Sequence, residues 1–279
     1  MNDRSMKVFM TLPVSGKEWL IGVLVAGLVV FPGFAPKTLA WGKDGHRIVG
    51  IIAQAHISTT ISRKLANNFN INLLADIAPW ADKVKKHRSQ RPWHYTNIER
   101  GKRIYRQKRD CPDRQCVTEK IKDFVKILRE KNHSTKIRRE ALAYLVHFVA
   151  DIHQPLHLGN RDDRGGNEIM VRVHGEPTNL HALWDYGLIP AKETNLAQYA
   201  RRLSCTVTSG DRFSLARLPV DAWTNESRAL ALQYAYPVEF SKDRELTPRY
   251  IRSGRKIVER QLCRAGIRLA VLLNGILSE

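Results

Sequence analysis

Residues 136–157, KIRREALAYLVHFVADIHQPLH, decide the fold. Leu142, Leu145, Val146, Phe148 and Val149 leave too little polar surface for a helix lying on the outside. Pro155 then removes a backbone donor and stops the pattern. The spacing predicts a buried central helix over 136–154.

That helix carries chemistry as well as packing. Asp151 stands four residues after His147, on the same helix face, and His157 follows beyond the proline. A lone histidine in an apolar helix is usually a hydrogen-bonded core residue. An unpaired carboxylate there is different, because its desolvation is costly and a divalent cation removes the penalty. The pairing recurs as His181 and Asp185 in NLHALWD, residues 179–185, so two helices each offer an imidazole and a carboxylate from one side. Two such pairs point to a polynuclear metal site.

Outward from this core the periodicity stays helical. Ile48, Ile51, Ile52 and Ala55 form one stripe, and Ile121, Phe124, Val125 and Leu128 another. Gly165-Gly166-Asn167 breaks the pattern, and the alternation over 169–173 suits a short hairpin, expected near 167–174, before a helix starting near Thr178. The final stretch, 247–277, is long and amphipathic, with Ile251, Ile257, Leu262, Ile267, Val271 and Leu272 available for burial. No linker, repeat or low-complexity tract interrupts the chain. The expectation is an all-α, single compact multi-helix domain.

The N-terminal segment has the anatomy of a secretory signal: Arg4, Lys7 and Lys17, an uncharged run over 19–31, and APKTLA at 35–40 ending on a small residue. That run is shorter than the roughly 20 apolar residues of a membrane span. The expected domains are therefore a cleaved signal, 1–40, and a mature 41–279 beginning at Trp41, with no stable membrane insertion after cleavage. Removing four basic and two acidic residues takes the net charge from +19 to +17. Such a balance favours polyanionic partners, nucleic acid or an anionic surface. In an exported chain the four cysteines read as two disulfides. Cys111–Cys116 with Cys205–Cys263 is preferred, and spacing leaves the other two pairings open.

The order and spacing of WGKDGH (41–46), WAD (80–82), WHY (93–95), HFVADIHQPLH (147–157), GGN (165–167) and HALWD (181–185) resemble the zinc-dependent type I nucleases of fungi, plants and bacteria, the S-one/P-one family. The resemblance covers the whole mature chain and implies the phospholipase C/zinc nuclease type of fold with three Zn2+ ions per chain. One ion would be held by Asp82, His94, His147 and Asp151. A second would be held by His157, His181 and Asp185. The third would use His46, a bridging Asp151, and the freed amine and carbonyl oxygen of Trp41. His153 is expected to support the ligands from outside, while His56, His87, His133 and His174 match no ligand position.

The implied activity is endonucleolytic hydrolysis of single-stranded DNA and RNA to 5′-phosphorylated products, with removal of 3′ phosphates from nucleotides. Asp82 and Asp151 are the catalytic carboxylates, the former orienting the attacking water and the latter joining two metals. Lys85 would face the phosphate, Tyr95 would stack a base, and Asn97 stands where some relatives have Asp. The chain is expected to be a monomer without an obligate protein partner, exported to the periplasm or secreted. The rival readings are a zinc-dependent phospholipase C, whose pattern places Glu at Asp185, and a non-catalytic basic helical protein that binds nucleic acid or anionic lipid.

Overall fold

A computed structural model describes residues 41–85, 89–189, 195–204 and 218–278. The expected signal segment 1–40, His87 and Cys205 lie outside them. Eleven α-helices are seen among the described residues: α1 (Lys43–Gln54), α2 (Thr59–Phe69), α3 (Leu74–Ile77), α4 (Trp80–Val84), α5 (Gln107–Asp110), α6 (Val117–Arg129), α7 (Thr135–Asp151), α8 (Leu180–Ala182), α9 (Leu196–Ser204), α10 (Val220–Leu230) and α11 (Pro248–Ser278). Short 3₁₀ turns, Arg91–His94 and Pro155–Leu158, and two π segments, Leu183–Gly187 and Ala231–Ala235, complete the helical part.

The central helix is α7. Ser134 caps it, its hydroxyl accepting the Ile137 amide at 3.4 Å. Every residue from Ala141 to Asp151 is buried, as a core helix requires. α6, joined to it by a short turn, packs along it with Phe124 stacked on Tyr144 at 4.8 Å. On the other side α1 lies between α7 and α11, burying Ile48, Val49 and Ile52. Gly266 of α11 faces Ile52 so closely that an added Cβ would lie 2.5 Å from its side chain, which makes this a helix crossing only glycine permits.

The expected hairpin exists, shifted along the chain. β1 (Met170–Val173) pairs antiparallel with β2 (Glu176–Asn179), Val171 opposite Thr178. The turn residues His174 (φ 52°) and Gly175 (φ 81°) both adopt the left-handed conformation of a two-residue type I′ loop. Glu-Pro-Thr-Asn has no apolar alternation, so only the first strand is visible in the sequence. No described helix is long and apolar enough to cross a membrane.

Cys111 and Cys116 form the expected disulfide, with Cα atoms 6.0 Å apart. The second expected bridge has its Cys205 half outside the described residues. Cys263 is buried in α11, its Sγ 3.2 Å from the carbonyl oxygen of Leu203.

Candidate metal centre

Five separate segments deliver side chains to one buried point beside the end of α7. α1 supplies His46, α4 Asp82, the 91–94 turn His94, α7 both His147 and Asp151, and the 155–158 turn His157. His181 and Asp185 come from α8 and the π segment after it, where the widened helical turn carries Asp185. Trp41 is fastened alongside: its indole donates to the Ala150 carbonyl at 2.7 Å, and the Gly42 amide donates to the Asp185 carbonyl at 3.0 Å. The first residues of the expected mature chain are thus tied to two ligand-bearing segments.

Asp151 is the hub. Its Oδ2 lies 3.0 Å from His94 Nδ1 and 3.2 Å from His147 Nε2; its Oδ1 lies 3.5 Å from His46 Nε2 and 3.6 Å from His157 Nδ1. Asp82 Oδ1 is 3.6 Å from His147 Nε2 and 3.7 Å from His94 Nδ1. Beyond them Asp185 stands 3.6 Å from His157 Nε2 and 3.3 Å from His181 Nε2. Three sets, His46–Asp82–His147, His94–His147–Asp151 and His157–His181–Asp185, each bring ligand atoms within 4.8 Å of one another. His46 also stacks on His147 at 3.8 Å, which is why it groups with Asp82 as well as approaching Asp151.

The donor chemistry fits divalent metal. The Nδ1 atoms of His147, His157 and His181 sit 2.6, 2.7 and 2.7 Å from the carbonyl oxygens of Ala78, His94 and Gly165. A carbonyl only accepts, so each Nδ1 carries a proton and each Nε2 is the nitrogen turned inward, toward carboxylate oxygens, available to a metal once it has no proton of its own. At such distances a proton or a metal cation must lie between nitrogen and carboxylate oxygen. Asp151 Oδ1 and Asp185 Oδ2 are buried with no hydrogen bond among the described residues, which is costly for an ionised oxygen.

Electrostatics agree with the geometry. Burial pushes Asp151 and Asp82 upward, but the surrounding imidazoles, His147 foremost, hold both carboxyls below their ordinary range, Asp151 well below. Burial works against charge on His147 and His157, yet their carboxylate neighbours raise both imidazoles above the usual histidine value. Burial, reinforced by His147, depresses His46 to about 3, and burial also lowers His94 and His181. Asp82 and Asp151 therefore stay ionised and favour positive charge beside them.

The proposed substrate residues flank this cluster. Lys85 pairs with Asp82 Oδ1 at 2.6 Å. Tyr95 is 37% exposed and, with Asn97, lines a cavity of about 270 Å³ that Asp110, Gln115 and Arg161 also border. Gln154, which sequence reasoning passes over, proves to hold the site together: its amide donates to Asp185 Oδ1 at 2.6 Å while its oxygen accepts the Leu156 amide at 2.5 Å. Its position between His153 and Pro155 is the only signal of that role in the chain.

His153 corrects an expectation. Two residues from Asp151 its ring points to the opposite side of the chain, where Nδ1 meets the Val149 carbonyl at 2.7 Å and Nε2 meets Arg268 at 2.7 Å, so it supports no ligand. His56 packs on the Ile52 carbonyl, His133 pairs with Glu130, and His174 forms the hairpin turn.

Residues 41–278 match the profile of the family described as S1/P1 Nuclease. Endonuclease 4 of Arabidopsis thaliana is 32% identical over 293 residues, covering 94% of this chain and 96% of its own. Nuclease S1 of Aspergillus oryzae is 27% identical over 88% of this chain and 94% of its own. For Nuclease P1 of Penicillium citrinum the identity is 27%, over 85% and 97%. With the profile spanning nearly everything after Ala40, and relatives matched along almost their whole length, the chain belongs to the S1/P1 nuclease family.

Proposed function

We propose that the mature chain is an exported endonuclease that hydrolyses single-stranded DNA and RNA to 5′-phosphorylated products and removes 3′ phosphates from nucleotides. It would work with three Zn2+ ions. The observation that carries this is Asp151, fully buried and facing four imidazoles, with no hydrogen bond to its Oδ1.

Asp82, His94, His147 and Asp151 would hold one ion, His157, His181 and Asp185 another, and His46, Asp151 and the freed amine and carbonyl of Trp41 the third. Bound zinc supplies Lewis acidity toward a phosphoryl oxygen and makes water a usable nucleophile at moderate pH. The chain's own residues do the positioning. Asp82 Oδ1 accepts a hydrogen bond from the attacking water and aims it at phosphorus. Lys85 Nζ, which neutralises Asp82 at 2.6 Å, is within reach of a phosphate oxygen that enters beside it. Tyr95 offers an exposed ring on which an unstacked base lies, and Asn97 offers both a donor and an acceptor to its edge. A base must leave its helix to reach that ring while its phosphate enters the cluster, so unpaired strands are preferred.

Removal of 1–40 frees the Trp41 amine, so processing is part of site assembly and places the working enzyme in the periplasm or outside the cell. The processed protein should degrade single-stranded DNA and RNA faster than duplex, release 3′ phosphate from nucleotides, and lose both activities to a chelator. Selective hydrolysis of a phospholipid head group, or nucleic-acid binding with no chelator-sensitive cleavage, would contradict the proposal.

A further inference from the structure

α11 carries the basic residues Arg249, Arg252, Arg255, Lys256 and Arg260 in its first half, and all five are exposed. At about 100° per residue, Arg249, Arg252, Lys256 and Arg260 fall within one narrow arc. Their spacing of three, four and four residues extends the row over roughly 16 Å. None of the five has an ion-pair partner among the described residues, and Glu259, the one acid in this stretch, instead accepts from Tyr199 of α9.

Two other basic stretches are neutralised by acids. On α6, Lys120 pairs with Asp123 and Lys122 with Glu119 and Asp221. Further along α11 itself, Arg264 and Arg268 are taken up by Glu226. The row on the outer face is thus an unneutralised line of positive charge. Its helix is anchored from behind by the metal-centre segment: Trp184 donates to Tyr250 at 3.1 Å, and Gly254 lets Leu188 and Trp184 pack against the backbone. Those contacts leave the charged face pointing away from the cluster.

We propose that this row is a second nucleic-acid surface, which holds the phosphate backbone of a long single strand while another part of that strand is cut. A membrane is the less suited partner: the apolar side of α11, including Tyr250, Ile257 and Leu262, is buried in the core, leaving no apolar face to enter a bilayer. Each guanidinium or ammonium engages a phosphate and releases counterions, without reading sequence. The surface raises the residence of polymers and does nothing for a dinucleotide, which cannot span from the cluster to the outer face. This inference rests on the nuclease reading above, and the arms of its test keep the two apart.

The test compares the processed, zinc-loaded protein with the variant R249Q/R252Q/K256Q/R260Q on a dinucleotide and on a 60-nucleotide single strand, over a range of salt. Four lost phosphate contacts should flatten the log–log salt dependence of kcat/KM on the 60-mer by about 3. Its kcat/KM at low salt should fall on the order of tenfold or more, with dinucleotide turnover unchanged. A companion variant, R249K/R252K/R260K, should retain the wild-type slope. Equal losses on both substrates, or an unchanged 60-mer slope, would overturn the proposal, as would loss of binding to phosphatidylglycerol vesicles with 60-mer kinetics intact. Absence of dinucleotide hydrolysis by the wild-type protein would instead strike the nuclease reading. Equilibrium binding of a phosphorothioate 60-mer, weakened in the glutamine variant and not in the lysine one, would still report on the row.

Discussion

Gln154→Leu tests the metal centre through a residue that touches no metal in the scheme. Leucine approximates the glutamine's size, and the site is fully buried, so packing is largely kept. Two hydrogen bonds vanish, leaving the Leu156 amide and a carboxylate oxygen of Asp185 without their partner. An orphaned buried polar group costs about 1–3 kcal/mol, so the metal-free protein should lose about 2–6 kcal/mol of stability. Asp185 also loses the donor that fixes its orientation toward His157 and His181. Removing such a partner typically lowers metal affinity about 10–100-fold. Competition with a chromophoric chelator should show one of three zinc ions weakened by that factor, and thermal unfolding should show a lower Tm that excess zinc partly restores. If Gln154→Leu bound all its zinc with wild-type affinity, the assignment of Asp185 as a ligand oriented by Gln154 would be refuted.

Other consequences are equally direct. Because carboxylate neighbours raise His147 and His157 above the ordinary value, protons compete with metal at these positions. Zinc affinity should therefore be full above those raised values and fall as pH drops through them, beginning above about 6.5. Zinc retention against pH checks this, and constant affinity from pH 8 to 5 would contradict it. Gly165 has φ 66°, an added Cβ would lie 2.4 Å from the Leu156 carbonyl oxygen, and its own carbonyl orients His181, so Gly165→Ala should cost at least about 1–3 kcal/mol by thermal unfolding and weaken zinc binding at His181. Tyr95→Ala should raise KM for oligonucleotides about 5–150-fold, the equivalent of one stacked base, with zinc content unchanged; an unaltered KM would remove Tyr95 from the substrate path.

Much of this centre is legible in the amino-acid sequence. The i,i+4 spacing of His147–Asp151 and His181–Asp185 puts each pair on one side of a helical segment, α7 for the first and α8 with its π extension for the second, so burial of those segments brings the pairs together. The groups that aim the ligands are not legible. Two of the three aiming carbonyls come from Ala78 and Gly165, whose side chains carry no signature of that role, and Gln154 looks like any polar residue before a proline. His153 misleads because it shares the dense histidine motif, and only the geometry shows its ring turned toward Arg268. The second hairpin strand escapes notice because Glu176–Asn179 is held by its turn and partner strand rather than by an apolar face of its own.

The account depends on Asp151 joining two ions, and metal content measured on the processed protein tests that most directly. Wild-type chain should carry three zinc ions and cut single-stranded DNA, whereas Asp151→Asn, still folded, should hold at most one tightly and be inactive. Three tightly held ions in Asp151→Asn, or wild-type hydrolysis after complete removal of metal, would contradict it.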